Sequence, residues 1–145
     1  MNVAIKRLQE DAILPSRGSD QAAGYDLYAK NSEPLAIAPH TTAMVGTGVA
    51  MAIPEGYFGG IFARSGLASK QSLRPANCVG VVDADYRGEI IVALHNDSDE
   101  ERTIAPKERN AQMVILPFLS VEFTETQDLD ETSRGAGGFG STGRM

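Results

Sequence analysis

The chain has no tryptophan, one cysteine (Cys78) and two histidines among its 145 residues. A lone cysteine excludes an internal disulfide and suits a reducing compartment, so a cytoplasmic location is expected. His40, His95 and Cys78 lie too far apart in sequence to give zinc-ligand spacing. Long apolar runs are also missing. No stretch approaches the ~18–20 residues of a membrane-spanning helix, and no membrane partner is expected. The opening "MNVAIKRLQEDAILP" carries charges inside its apolar stretch, unlike a secretory signal. Positive charge is in deficit, with 13 Lys and Arg against 19 Asp and Glu and a formal net charge of -6. This argues against a broad nucleic-acid surface, while a small anion could still be held by a local cluster.

What is plentiful is punctuation. Fifteen glycines and seven prolines divide the chain into short apolar runs. Strands are expected over Val3–Leu8, Tyr25–Ala29, Leu35–Ala38, Ala43–Gly46, Val49–Ile53, Tyr57–Ala63, Cys78–Val82, Glu89–His95, Glu101–Ile104, Gln112–Leu119 and Val121–Glu125. These runs are rich in Val, Ile, Tyr and Phe and are separated by turn residues. No window of a dozen residues keeps a 3.6-residue apolar period. One short helix is expected over Gly66–Lys70, after a serine able to cap it. The pattern predicts one all-β domain over residues 1–145, a closed barrel or jelly roll rather than βαβ units. Its end, from about residue 133, is expected to be mobile.

That end reads "RGAGGFGSTGRM", five glycines in twelve residues. Gly138, Gly140 and Gly143 match the letters G-x-G-x-x-G, but the chain stops two residues later and no helix can follow to hold a pyrophosphate. A Walker A reading fails as well, because Arg144 and Met145 follow Gly143. What remains is a pliable segment with open backbone N–H groups, hydroxyls and arginines, which can wrap an anion. Phe139 among the glycines could lie flat on a nucleobase.

Four internal stretches carry further chemistry. "AAGYDLYA" (Ala22–Ala29) sets Asp26 in an apolar strand, where an outward-facing edge acid is the plain alternative. "ARSGLASK" (Ala63–Lys70) groups a guanidinium, a hydroxyl and an unobstructed N–H, which suits phosphate oxygens and also a helix start. In "NCVGVVDADYRGE" (Asn77–Glu89), Val79–Val82 reads as buried strand, followed by an acidic turn and an aromatic. "PKERNAQM" (Pro106–Met113) brings Arg109 and Gln112 into a strand, or forms a solvated hairpin.

In order and spacing, these stretches and the glycine-rich end resemble the five motifs of the homotrimeric dUTPases over nearly the whole chain. "RSGLA", "GVVDADYRG" and "RGAGGFGSTG" are the most specific matches. The resemblance implies a jelly-roll-like distorted barrel of the β-clip kind, and a homotrimer with active sites between subunits. It also implies Mg²⁺-assisted hydrolysis of dUTP to dUMP and pyrophosphate, which keeps uracil out of DNA and supplies dUMP. Asp83 then matches the general base for a water attacking the α-phosphorus; an ionised carboxylate can do this. Asp26 matches the acid near Mg²⁺, acting through the water ligands that this ion usually keeps. Arg64, Ser65 and Gly66 match phosphate binders, as does Gln112. Asn77 and the Val81, Val82 and Asp83 backbone match the hairpin that reads uracil. Buried groups left unpaired by cytosine would disfavour that base, by as much as ~10⁴-fold. Tyr86 matches the ring that excludes a 2′-hydroxyl, and Ile91 falls beside it. Arg134 matches the clamp on the terminal phosphate and Phe139 the ring stacked on uracil. Gly140, Ser141 and Thr142 would add phosphate contacts within a lid over residues 133–145.

Three positions depart from the family pattern: Ala63 stands where proline is frequent, and Lys107 and Asn110 replace a common glycine and isoleucine. Lysine enters positive φ less readily than glycine, and an asparagine at an apolar site needs hydrogen-bond partners. Two other classes bear weighing: the related dCTP deaminases, and a nucleotide-binding module without catalysis. The intact "DADYRG" and the complete glycine-rich end favour dUTP hydrolysis over both. A zinc deaminase is excluded by the absence of H-x-E and P-C-x-x-C.

Overall fold

A computed structural model of the chain describes residues 1–140, 142 and 143. Among the described residues, eleven strands and one helix follow one another as β1 (Ala4–Arg7), β2 (Tyr25–Tyr28), β3 (Leu35–Ile37), β4 (Thr42–Gly46), β5 (Val49–Ala52), β6 (Tyr57–Phe62), α1 (Ser65–Gln71), β7 (Leu73–Pro75), β8 (Gly80–Val82), β9 (Ile91–Asn96), β10 (Arg102–Ile104) and β11 (Arg109–Pro117). Every paired strand is antiparallel. The sheets run β1-β5, β3-β10, β2-β11-β6-β8 and β4-β9-β7, and among the described residues they do not close into a barrel. The all-β expectation holds; the closed form of it does not.

β11 organises the sheet that matters most. At nine residues it is the longest strand, and Ala111 and Met113 are buried along it. It pairs with β2 on one side and β6 on the other, so Gln112 stands opposite both Asp26 and Phe62. The core between the sheets is aliphatic, built on Leu27, Ile37, Val45, Val92, Leu94 and Ile104. Each such side chain contributes about 1.5–3 kcal/mol when fully removed from water.

Four local expectations are corrected. The helix starts at Ser65 with Arg64 as its cap, and no side chain caps it. It ends because Ser72 turns to φ 57 and returns its N–H to the Leu67 carbonyl. β7 follows at once; a three-residue strand ending in proline is too short to signal itself. Val79–Val82 is not uniformly buried: Gly80 and Val82 face inward while Val79 and Val81 are exposed, the alternation of a half-covered strand. Val121–Glu125 forms no strand, and Val121 and Phe123 stand exposed. A β-prone run needs an edge to pair with, and among the described residues that run finds none.

Two of the departures have consequences. Lys107 does adopt φ 64 and is held there by its ammonium, which donates to the Asp11 carbonyl at 2.7 Å and pairs with the Asp11 carboxylate at 3.0 Å. Asn110 sits at the bulge where β11 slips against β2; it is buried, and among the described residues neither side-chain polar atom has a hydrogen-bond partner. Such a group costs about 1–3 kcal/mol.

Candidate functional site

The register of β11 brings three of the motifs together. Asp26 on β2, Arg64 just past β6 and Gln112 on β11 meet around a cavity of about 210 Å³, also lined by Gly24, Ser65 and Gly66. The outward-facing alternative for Asp26 is overturned: its carboxylate is only 15% exposed and lies 3.3 Å from Arg64 Nε and 3.5 Å from Arg109 Nη1. Two guanidinium groups against one carboxylate leave a local surplus of positive charge, in a chain whose net charge is -6. Arg64 also donates to the Arg109 carbonyl at 3.2 Å. The solvated-hairpin alternative for Pro106–Met113 therefore fails.

Gln112 is placed by a glycine that sequence reasoning left unused. Its Nε2 donates to the Ala63 carbonyl at 2.9 Å, tying β11 to the Arg64–Gly66 turn. A Cβ at position 24 would meet the Gln112 amide oxygen and stand 2.8 Å from its Cδ. Gly24 thus leaves the lane in which Gln112 lies. Gly66, by contrast, has open space beside it, so its backbone N–H can be approached freely.

The second group of predicted residues forms a separate cavity of about 310 Å³, lined among others by Asn77, Val81, Asp83, Tyr86 and Ile91. Its floor is β8, whose Gly80, Val81 and Val82 pair with Ile61, Gly60 and Gly59 of β6. The loop after β8 closes with the Tyr86 N–H donating to the Asp83 carbonyl at 3.1 Å. Asp83 is exposed at the mouth of this turn, within reach of water. Met44, on β4, also lines the cavity, and nothing in its sequence context marked it.

Among the described residues the two cavities share no lining residue. β2 and β8 are the outer strands of one four-stranded sheet. The β6–β8 register, continued one step, sets Asp83 opposite Phe58, four residues from the Phe62 that aligns with Gln112 and Asp26. Three strand spacings across and four residues along put Asp83 roughly 20 Å from Asp26 in one chain.

Among the described residues, the glycine-rich end joins neither cavity. Arg134 Nε donates to the Gly137 carbonyl at 2.6 Å, and Phe139, at φ 51, is fully exposed. Gly140 and Thr142 are exposed as well, and Ser141 lies outside the described residues. A further apolar cavity of about 490 Å³, lined by residues such as Val3, Met51 and Met113, has no charged side chain among its described lining residues.

Beneath the Asp83–Tyr86 loop, Glu89 is bonded to Lys30 at 2.8 Å and accepts the Gly48 N–H at 2.9 Å. Burial opposes its ionisation. The Lys30 ammonium and the N–H groups of Gly48 and Thr47 outweigh that, and hold the carboxyl below its ordinary range.

An all-β framework thus carries a cavity lined by Asp26, Arg64, Ser65, Gly66 and Gln112, and a separate cavity along the β8 hairpin lined by Asn77, Asp83 and Tyr86. The dUTPase family model matches residues 10–143. A deoxyuridine 5'-triphosphate nucleotidohydrolase of Hydrogenobaculum sp. is 47% identical over 143 residues, covering 99% of each chain. The dUTPase of Staphylococcus bacteriophage 80alpha, solved with dUPNHPP, superposes with a TM-score of 0.88 at 30% identity, covering 98% of each chain. A point mutant of the dUTPase from S. aureus phage phi11, described as coordinating a structural Mg(II) ion, superposes at 0.81 with 25% identity, over 90% of this chain and all of that one. The chain belongs to the dUTPase family. It is a dUTP diphosphatase and hydrolyses dUTP to dUMP and pyrophosphate.

Proposed function

We propose that hydrolysis takes place where the phosphate cavity of one subunit faces the hairpin cavity of its neighbour, in a homotrimer. The observation that carries this is the separation of the two halves. Asp83 must reach a water at the α-phosphorus of the same triphosphate that Asp26 and Arg64 hold, and roughly 20 Å within one chain is too far. A second copy removes the gap.

In that arrangement the base enters between Asn77 and the Val81–Asp83 backbone. Tyr86 packs on the deoxyribose with Ile91 beside it. Arg64, Ser65, the Gly66 N–H and Gln112 take the phosphate oxygens. Asp83 accepts a proton from water as its oxygen bonds to the α-phosphorus; the bond to the bridging oxygen breaks, and pyrophosphate leaves with that electron pair. The end of the chain closes as a lid, with Arg134 on the terminal phosphate, Phe139 over uracil, and Gly140, Ser141 and Thr142 adding donors. Arg134 now spends its Nε on a carbonyl of its own turn, a bond that a phosphate would outcompete by charge.

Among the described residues no three Asp, Glu, His or Cys side chains converge, so they offer no cage for a resident ion. One carboxylate in a cationic cavity suits Mg²⁺ that arrives on the triphosphate and keeps its waters, with Asp26 holding those waters. Bound there, the ion supplies charge neutralisation along the phosphates. The single cysteine is exposed and unpaired, in keeping with a cytoplasmic setting.

Pyrophosphate release measured in parallel from dUTP, dCTP, dTTP and UTP, with and without Mg²⁺, tests the reading. Preference for dUTP and dependence on Mg²⁺ are expected. Equal turnover of UTP would sink the role of Tyr86, and full activity in a chelator that of the metal.

A further inference from the structure

We propose that Glu89 is a positioning residue for sugar discrimination, holding the Tyr86 ring in place through an anchor on Lys30 and the Thr47–Gly48 turn. The inference rests on the reading of Tyr86 as the ring that meets the deoxyribose.

Tyr86 does not stand free over its cavity. Its hydroxyl donates to the Glu89 carbonyl at 2.8 Å, folding the ring back across its own loop. The fold-back is possible because residue 88 is glycine: a Cβ there would stand 2.5 Å from the Tyr86 oxygen and 2.7 Å from Cζ. The ring's position is thus only as firm as the residue that receives its hydroxyl. The backbone bonds that anchor this loop fall on the next residue, where Ile90 donates to the Val49 carbonyl and accepts from the Thr47 N–H. Glu89 is tied down by its side chain. One carboxylate oxygen takes Lys30 Nζ at 2.9 Å; the other lies 2.8 Å from the same ammonium and accepts the Gly48 N–H.

Lys30 is itself fixed, its N–H donating to the Gly46 carbonyl at 2.9 Å. Gly46 also keeps the lane of the ion pair open, since a Cβ there would meet the Glu89 carboxylate and stand 2.7 Å from Lys30 Cε. Groups on β4, on the turn after it and on the stretch after β2 therefore converge on one carboxylate, whose residue carries the acceptor for Tyr86. A carboxylate at 19% exposure, with charge-assisted partners on both oxygens, is stiff enough to act as such an anchor.

The test is the ratio of kcat/KM for dUTP to that for UTP, read by pyrophosphate release from wild type, Tyr86→Ala, Glu89→Ala, Lys30→Met and the Lys30→Met/Glu89→Ala double variant. A lower yield of folded enzyme scales both substrates alike and leaves the ratio unmoved. Glu89→Ala and Lys30→Met are each expected to lower the ratio by roughly tenfold, the worth of one hydrogen bond to a charged group. The double variant should lose no more than either single one, because the two residues act as one anchor. If Tyr86→Ala loses discrimination while Glu89→Ala and Lys30→Met keep it, the proposal is overturned and the reading of Tyr86 stands. If Tyr86→Ala itself keeps discrimination, that reading falls and the proposal with it.

Discussion

Complementation between two inactive variants gives the most direct test of a site shared between subunits. Asp83→Asn removes the base from the hairpin cavity and leaves the Asp26–Arg64–Gln112 cavity whole. Arg64→Ala does the reverse, and also strips Asp26 of its partner at 3.3 Å. Each parent enzyme should be nearly inactive; loss of a charge-assisted contact in the transition state, or of the base, costs on the order of 10²–10⁴-fold. If the two halves come from different subunits, mixed assemblies contain sites whose hairpin belongs to an Arg64→Ala chain and whose phosphate cavity belongs to an Asp83→Asn chain. With equal amounts and random assembly, each requirement is met half the time, so roughly one quarter of the sites are restored. The assay is co-expression of the two differently tagged chains, double-affinity purification and pyrophosphate release. Tag selection removes pure assemblies and raises the fraction somewhat. The roughly 20 Å between Asp83 and Asp26 within one chain is the basis for expecting restoration. Mixed assemblies as inactive as their parents would refute the reasoning, because a site contained in one chain is never whole in either variant.

Three other outcomes follow from the geometry. Gly24→Ala drives a Cβ into the Gln112 amide and should break its bond to Ala63; dUTP kcat/KM is expected to fall about tenfold, and an unchanged value would show that Gln112 has another place to lie. The chain has no tryptophan, so Phe139→Trp makes a sole indole reporter at a fully exposed position. Its emission should shift on adding dUPNHPP with Mg²⁺, and no shift would count against closure over the base. Glu89 has a folded-state pKa lowered below its unfolded value. Its contribution to stability is therefore present above the unfolded carboxylate pKa, about 4.3, and is lost as pH falls through the lower folded value. Thermal melts from pH 7 down to pH 3 should show Glu89→Ala approaching wild type in Tm at the acid end; a constant Tm gap would contradict this.

Much of the candidate site's lining was legible in sequence because its residues come in local runs. Arg64, Ser65 and Gly66 are neighbours in the chain, as are Asn77 through Tyr86, and their order along the chain is what carries the resemblance to the family's motifs. Strand positions followed from runs of Val, Ile and Tyr between turns. Misreadings arose where a partner decides. Val121–Glu125 has the composition of a strand and finds no edge; β7 has little of that composition and is a strand because β9 lies beside it. Ser65 could cap a helix, but the chain enters one residue earlier, at Arg64. Gly24, Gly46 and Gly88 carried no signal of their own in the sequence, because what each makes room for is a side chain whose placement only the fold decides.

By itself, then, the sequence determined the kit: an all-β chain, a run of arginine, serine and glycine, an acidic turn beside an aromatic, and a glycine-rich end bearing one ring. Tertiary structure decided how the kit is divided. Sheet register, a long-range property of pairing, put Asp26, Arg64 and Gln112 in one cavity and carried Asp83 and Tyr86 to the far edge of the same sheet. Side-chain packing, equally non-local, joined Lys30 to Glu89 across 59 positions of chain. Local composition has no term for either, because each depends on which backbone lies next to which.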